Sequence, residues 1–420
     1  MIEQRPKALM LAAAVILGAS VIPTLAPRAG RRCSKANTNA YGTGAKSILA
    51  RHGQVSPERS PTPTEPAAAN VESSTPEDWK VAEPGYRFAF PQDHASHEAY
   101  RIEWWYYTGN LLSSDGRRFG YQLTFFRTGI VANPANPSRW TVRDLYLAHF
   151  ALSDIRDRSF HYFELLNRAG IGWAGAAASS YNVWNGEWSV RLDGGDHVLS
   201  AADGGYSLDL RLKPLKPETI NGENGLSRKG PAPGNASHYY SITRLATRGT
   251  LVLGGERFQV TGLSWMDHEF GTSFLEPGQT GWDWFSIQMD DGRDLMLFEI
   301  RRANGAMDTY SSGTITAADG AASRVDSGQF SLAPGDRWRS PASGAFYPIS
   351  WSIEIPGHAL KLEAKAAFPD QELRTTESTG VTYWEGSIEV TGQAAGGPVH
   401  GRGYLEMTGY AGPGIAGLLH

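Results

Sequence analysis

The sequence predicts an all-β protein made of two antiparallel β domains, each closed as a barrel or packed as a sandwich. Three observations lead there. Glycine (48) and proline (24) are plentiful and aromatics make up 11% of the 420 residues, a mixture of turn formers and strand formers. Apolar residues alternate over short runs bounded by Gly, Asn and Asp, with no sustained helical period. An aromatic strand, an Asp-Gly turn and an apolar strand also occur twice, at 104–126 and at 282–298, an echo that two domains of similar topology would leave. A chain of this length can bury two large cores.

The chain begins with Arg5 and Lys7 ahead of an apolar run from Ala8 to Ile22. That is the pattern of a secretory signal, shorter than the roughly 20 residues of a spanning helix. Thr24-Leu25-Ala26 fits a small-residue cleavage site, but Pro27 opposes cleavage, so a retained anchor that tethers the protein to the membrane is the rival reading. Residues 1–30 are assigned to a signal peptide or N-terminal anchor, and the expected location is exported, periplasmic or extracellular. Residues 31–80 are rich in Pro, Ser and Ala and cannot bury enough surface to order themselves, which marks a flexible linker. Cys33 is the single cysteine, so no intramolecular disulfide forms. Arg31 and Arg32 occupy the positions where a lipoprotein site needs small residues. The net charge of -4 gives no basic surface for nucleic acid.

The first domain is placed at 81–270. Trp104–Tyr107, the turn at Ser114-Asp115-Gly116 and Phe119–Phe126 form a hairpin. Leu145–Leu152 is apolar on both faces and reads as a strand buried on both sides, with His149 pointing the same way as Leu147. Asn182–Leu192 and Tyr206–Pro214 alternate well. His238–Leu245 and Thr250–Gly262 form a further pair, with a turn at Gly254-Gly255. The Gly- and Pro-rich loop from Asn221 to Asn235 is of the kind that borders a site. The second domain is placed at 271–410, followed by a tail at 411–420. Trp282–Met289 and Asp294–Arg301 flank the hairpin turn Asp290-Asp291-Gly292. Met307–Ile315, Trp351–Ile355, Leu360–Ala366, Tyr383–Thr391 and Gly401–Met407 are its later strands. Glu385 and Glu406 each stand in an apolar neighbourhood.

The stretch from Gly262 to Arg301 concentrates titratable groups among aromatics: Trp265, Asp267, His268, Glu269, Trp282, Asp283 and Trp284. Charges are rarely placed there unpaired, because desolvation costs several kcal/mol (roughly,). Strand alternation sets Trp265, Asp267 and Glu269 on one face and His268 on the other, so one metal could not readily take all three ligands. Neither a phosphate loop nor a Gly-x-Ser-x-Gly elbow is present. What remains is a carboxylic acid in an aromatic pocket, where a raised pKa keeps it protonated near neutral pH. Asp267 and Glu269 are the candidate acids, with His149, His268, Glu103 and Asp283 as further candidates. Trp104, Tyr106, Trp265, Trp282, Trp284 and Tyr240 are candidate ligand-lining residues. Each also has a structural reading: aromatics fill cores, and Arg101, Arg127, Arg244 and Arg301 are available to pair with buried acids.

The segments EWWYYTGNL (103–111), LAHFALSD (147–154), SHYYSITRL (237–245), GLSWMDHEFGTS (262–273), GWDWFSIQMDDGRDLMLFEIR (281–301) and YPISWSIEIP (347–356) together resemble the AttH-like family of secreted hydrolases. That family is related to bacterial carotenoid 1,2-hydratase (hydroxyneurosporene synthase). The resemblance covers about residues 80–410. It implies two lipocalin-like β-barrel domains in tandem. The related hydratases protonate a terminal alkene and add water to the cation without a cofactor, and fungal pericyclases share the scaffold. By resemblance the proton donor is Asp267. The implied protein binds an apolar isoprenoid- or lipid-like molecule at the junction of its barrels and acts on it as a hydratase or hydrolase. The alternative is a non-catalytic carrier or chaperone of the cell envelope.

Overall fold

The structure, a computed structural model, describes residues 78–136, 138–273 and 275–412. The signal or anchor segment, nearly all of the linker and most of the tail lie outside the described residues. Among the described residues the regular structure is all β, with only three-residue 3-10 turns such as Gln92–His94. The first sheet has thirteen antiparallel strands. Its opening strand, Ile102–Ser113, pairs with Arg118–Gly129 on one side and with the closing strand, Glu256–Gly271, on the other. The closing strand pairs in turn with the penultimate strand, Ala236–Leu253. The two ends of this sheet approach each other where Asn167 Nδ2 donates to Asn185 Oδ1 (2.7 Å), so the barrel is nearly closed. Its interior holds Trp105, Tyr107, Leu123, Phe125, Phe150 and Met266, each 1% exposed or less.

The second sheet has ten strands on the same plan. The opening strand, Gln279–Met289, pairs with Asp294–Arg302 and with the closing strand, Gly397–Met407. That closing strand pairs with the penultimate strand, Val381–Ala394. Phe285, Ile287, Leu297, Trp384, Ile388 and Leu405 form the centre of its own core.

Strand alternation gives each sheet a second buried face. On Ile102–Ser113 the odd residues Trp105, Tyr107 and Leu111 fill the barrel. The even residues Tyr106 and Asn110 meet Glu385, Ser387 and Gly403 of the second domain. The domains therefore share a seam between sheet faces. It is tight at one end: a Cβ on Gly120 would lie 2.6 Å from Tyr404 Oη and 3.2 Å from Ser387 Cβ. Elsewhere Gln288 Nε2 donates to the carbonyls of Thr243 (2.7 Å) and Ser264 (2.9 Å). Asp294, fully buried, binds Lys216 Nζ (2.7 Å), Arg244 Nη2 (2.6 Å) and Thr243 Oγ1 (2.8 Å) of the first domain. Asp294→Asn removes the counter-charge of a buried lysine, which keeps the Gly292 carbonyl (2.7 Å), and a charged hydrogen bond contributes about 1.5–3 kcal/mol. A destabilisation of that size is expected in urea titration, and a change below 0.5 kcal/mol (roughly,) would deny Asp294 a role in fastening the two domains.

Three strand expectations are overturned. His238–Leu245 and Thr250–Leu253 are not separate strands but parts of one, Ala236–Leu253, which turns at Gly254-Gly255 into Glu256–Gly271, because the alternation runs unbroken through Ala246–Gly249. Asn182–Leu192 is not one strand but two, Asn182–Asn185 and Trp188–Asp193, because Gly186-Glu187 is a two-residue hairpin turn with Gly186 at φ +58. The strand expected at Met307–Ile315 begins only at Ser312. Asp308 folds the preceding segment into a turn, accepting from Tyr310 N (3.0 Å) and from Gln279 Nε2 (2.9 Å).

Candidate functional site at the domain seam

Asp267 lies on the closing strand of the first domain, on the seam face, 4% exposed. Tyr239 Oη (2.5 Å), Ser241 Oγ (2.5 Å) and Trp265 Nε1 (2.7 Å) donate to it. Tyr239 and Ser241 come from the penultimate strand, where residues two apart share a face. Burial pushes the Asp267 carboxyl up to about 7, against the pull of its three donors. Trp284 of the second domain donates from Nε1 to Tyr239 Oη (3.1 Å). Its ring meets those of Trp265 (6.3 Å) and Tyr106 (5.1 Å) edge-on. Trp104, Tyr106, Trp265, Trp282 and Trp284 thus fall in one cluster, together with Tyr239, Met296 and Phe298.

Across the seam are two further buried acids. Tyr106 Oη donates to Glu385 Oε1, and Trp282 Nε1 donates to Glu406 Oε1 (2.6 Å). Glu385 and Glu406 are directly opposite on adjacent strands. Burial pushes Glu406 up to about 7, against the pull of Trp282 and Glu385 and with the charges of Asp267 and Glu269 adding to it. Burial also pushes Glu385 well above the usual carboxylate range, and the Glu406 charge adds to it.

Glu269 is also on the seam face but is spoken for. Ser237 donates to it and Lys229 Nζ is 2.9 Å away. Lys229 lies over the Phe298 ring at 4.4 Å and belongs to the Asn221–Asn235 segment, which does border this site. His149 faces the second domain and not Asp267. Its Nδ1 meets Tyr383 Oη (2.8 Å) and its Nε2 meets Ser378 Oγ (2.9 Å), and burial lowers it to about 3.

Four residues expected at the site turn away from it. Glu103, His268 and Tyr240 face the first barrel's interior. Tyr240 Oη joins His94 Nδ1 (2.6 Å) and His268 Nδ1 (2.9 Å). Glu103 takes His268 Nε2 (2.9 Å), His97 Nδ1 (2.8 Å) and Arg127 Nε (3.2 Å). Asp283 faces the core of the second sheet, on the side of Phe285 and Ile287, and pairs with Arg301 Nη1 (2.6 Å). Period-two alternation is the reason: Glu103 is one residue out of phase with Trp104, and Asp283 with Trp282 and Trp284. Of the arginines expected to pair with buried acids, Arg127, Arg244 and Arg301 do so.

His97, Glu103 and His268 do bring three metal-ligating atoms within 4.8 Å of one another. Their separations are N–H···O bond lengths, and Arg127 donates to the same carboxyl, so the set is a closed hydrogen-bond network with a cation already in it.

Sequence reasoning passed over Glu385, Glu406, Tyr239 and Ser241 as site residues. Their signal was present in part, since Glu385 and Glu406 interrupt apolar strands. Which face they share became visible only with the strand register.

A family model described as AttH-like matches residues 81–410. The structure of an AttH candidate from Nitrosomonas europaea is 34% identical, spans 79% of this chain and 99% of that one, and superposes with a TM-score of 0.72. Kievitone hydratase of Nectria haematococca shares the fold at TM-score 0.61 and 14% identity, over 80% of this chain and 96% of that one. Among curated proteins, the dehydratase asqC of Emericella nidulans is 23% identical over 212 residues, 48% of this chain and 58% of that protein. Kievitone hydratase of Fusarium solani subsp. phaseoli is 23% identical over 220 residues, 49% of this chain and 58% of that protein. The chain thus matches 58% of the length of each of these curated relatives. With the family model spanning both sheets and the seam between them, the chain belongs to the AttH-like family.

Proposed function

We propose that this protein is an exported enzyme that takes an apolar, isoprenoid- or lipid-like alkene into the domain seam and adds water across its double bond, or removes it, without a cofactor. The observation that carries the reading is Asp267: a buried carboxyl pushed up to about 7 among the rings of Trp265, Trp284 and Tyr106. Protonating an unactivated alkene needs an acid that is neutral before reaction and shielded from water. In the forward direction the Asp267 proton forms a C–H bond with the alkene π pair, leaving a carboxylate and a cation at the more substituted carbon. The faces of neighbouring aromatics stabilise that cation. Water then forms the C–O bond and gives up a proton, so that alkene plus water becomes alcohol. Two relatives named as a hydratase and a dehydratase support the reading, since their reactions run in opposite senses. Export rests on the signal pattern of residues 1–26.

The test uses protein purified from its own host and organic extracts of that host, incubated in D2O and read by mass spectrometry. A product is expected that has gained one water and one carbon-bound deuterium. Asp267→Asn is expected to lose it by about 10²–10⁴-fold. Unchanged turnover in that variant removes Asp267 from the chemistry. An apolar compound that co-purifies and is returned unaltered by the wild type identifies a carrier instead of an enzyme.

A further inference from the structure

The two domains repeat one register around the seam. In each, the opening strand pairs with the closing strand, which pairs with the penultimate strand. Setting Trp104 on Trp282 also sets Arg127 on Arg301, each one residue after the cross-strand partner of that tryptophan (Phe126 and Ile300). Both arginines hold a buried interior acid. In this register Tyr106 corresponds to Trp284. Opposite them on the closing strands are Asp267 and Glu406. Opposite those on the penultimate strands are Ser241 and Glu385. Asp267 and Glu406 are therefore pseudo-equivalent carboxyls, one from each domain, on the two sides of one seam. The domains differ at the next position: where the first has a serine hydroxyl donating to Asp267, the second has another carboxyl.

That difference sets the proton inventory. Two buried carboxyls side by side do not both ionise, and a shared proton is the economical state. Glu385 Oε2 is buried and receives no N–H or O–H donor. Its cross-strand neighbour is Glu406, directly opposite on the closing strand and facing the same seam. The remaining donors, Tyr106 Oη and Trp282 Nε1, are neutral, and no lysine or arginine pairs with either acid among the described residues. A proton between Glu385 and Glu406 satisfies Oε2 and leaves the pair with one negative charge, which can accept one more proton.

We propose that the Glu385–Glu406 pair is a second proton-transfer centre of the seam, the base that takes the proton of the attacking water while Asp267 supplies the proton to carbon. This rests on the reading of Asp267 as the acid. The balance closes over one turnover. Asp267 loses a proton to carbon, water loses a proton to the pair as its oxygen bonds to the cation, and one proton then returns from the pair to Asp267. Dehydration uses the same groups in reverse. The pair protonates the leaving hydroxyl, the C–O bond breaks to release water, and Asp267 removes the proton from carbon. Tyr106, which donates to Glu385 and lies within electrostatic range of Asp267, Glu385 and Glu406 alike, stands between the two centres.

The test separates protonation of carbon from addition of water, using the host extract in D2O as probe and the isosteric variants Glu385→Gln and Glu406→Gln. Cation formation is reversible, so alkene recovered from the reaction acquires deuterium whenever the acid works. Both glutamine variants are expected to lose hydration by about 10²-fold or more while recovered alkene still gains deuterium. Asp267→Asn is expected to lose both. Glu406→Asp is expected to recover part of the hydration, and melting temperatures of all variants control for folding. Hydration at the wild-type rate in both glutamine variants overturns the pair's role and leaves the Asp267 reading intact. Full activity in Asp267→Asn with inactive glutamine variants overturns that reading instead and leaves the pair as the acid centre. Loss of deuterium gain together with hydration in the glutamine variants makes the pair structural, and no converted compound with the wild type overturns both.

Discussion

Replacing Arg127 with methionine is expected to lower the unfolding free energy by about 3–5 kcal/mol. The guanidinium is fully buried and carries four contacts. It donates to Glu103 Oε2 (3.2 Å), to Asp144 Oδ1 (3.0 Å) and to the carbonyls of His97 (3.1 Å) and Tyr100 (2.6 Å). Two of these pin the segment that leads into the opening strand. Without Arg127, Glu103 keeps only histidine and hydroxyl partners for its charge, and Asp144 loses its buried cation. Removing one partner of a buried pair costs more than replacing the whole set, because an uncompensated charge is left behind. The triple change Arg127→Met, Glu103→Leu, Asp144→Leu is therefore expected to recover much of the loss. Urea unfolding of the three proteins checks both statements. A loss under 1 kcal/mol (roughly,) in the single variant would mean that this network behaves like a surface ion pair.

The all-β class and most strand positions were legible because period-two alternation and Gly, Asn and Asp turns are local signals. The co-facial set Trp265, Asp267 and Glu269 followed from the same alternation, and the structure places all three on the seam. Register was not legible. Glu103 and Trp104 are neighbours in sequence, yet Glu103 faces the barrel interior and Trp104 the seam, and nothing local said which phase faced the other domain. Asp283 was drawn toward the site by its tryptophan neighbours for the same reason. Glu385 and Glu406, far apart along the chain, become directly opposed only through strand pairing. The Gly186-Glu187 turn was hidden inside an unbroken alternating run, because a two-residue turn preserves the alternation on either side.

Stability is expected to fall as pH rises from about 4 to about 7, and Asp267→Asn is expected to flatten that fall. The ordinary value of the group is 3.8 and burial raises it to about 7 in the folded chain. Between these values the folded chain holds a proton that the unfolded chain has released. By linkage, stability then declines with rising pH across that window. Glu406, raised from 4.5 to about 7, and Glu385, held by burial well above the usual carboxylate range, act in the same direction. Glu103 acts oppositely. Burial disfavours its charge, but the hydrogen bonds of His268 and His97 and the charges of His97 and Arg127 hold it well below the usual carboxylate range. Its contribution is present above about pH 4.5 and is lost on acidification. The stability optimum is therefore expected on the mildly acidic side, between the loss of the Glu103 charge and the forced ionisation of the seam. The amide that replaces the carboxyl in Asp267→Asn cannot ionise, and its oxygen can still accept from Tyr239, Ser241 or Trp265. The difference between urea-derived stabilities at pH 5 and pH 8 should thus be smaller in the variant than in the wild type, by on the order of a few kcal/mol. Hydration activity, which needs the protonated acid, should decline over the same upper limb, as pH passes about 7. Parallel stability curves for the two proteins would mean that Asp267 is already ionised at pH 5, and an acid ionised at pH 5 cannot be the donor that this chemistry requires near neutral pH.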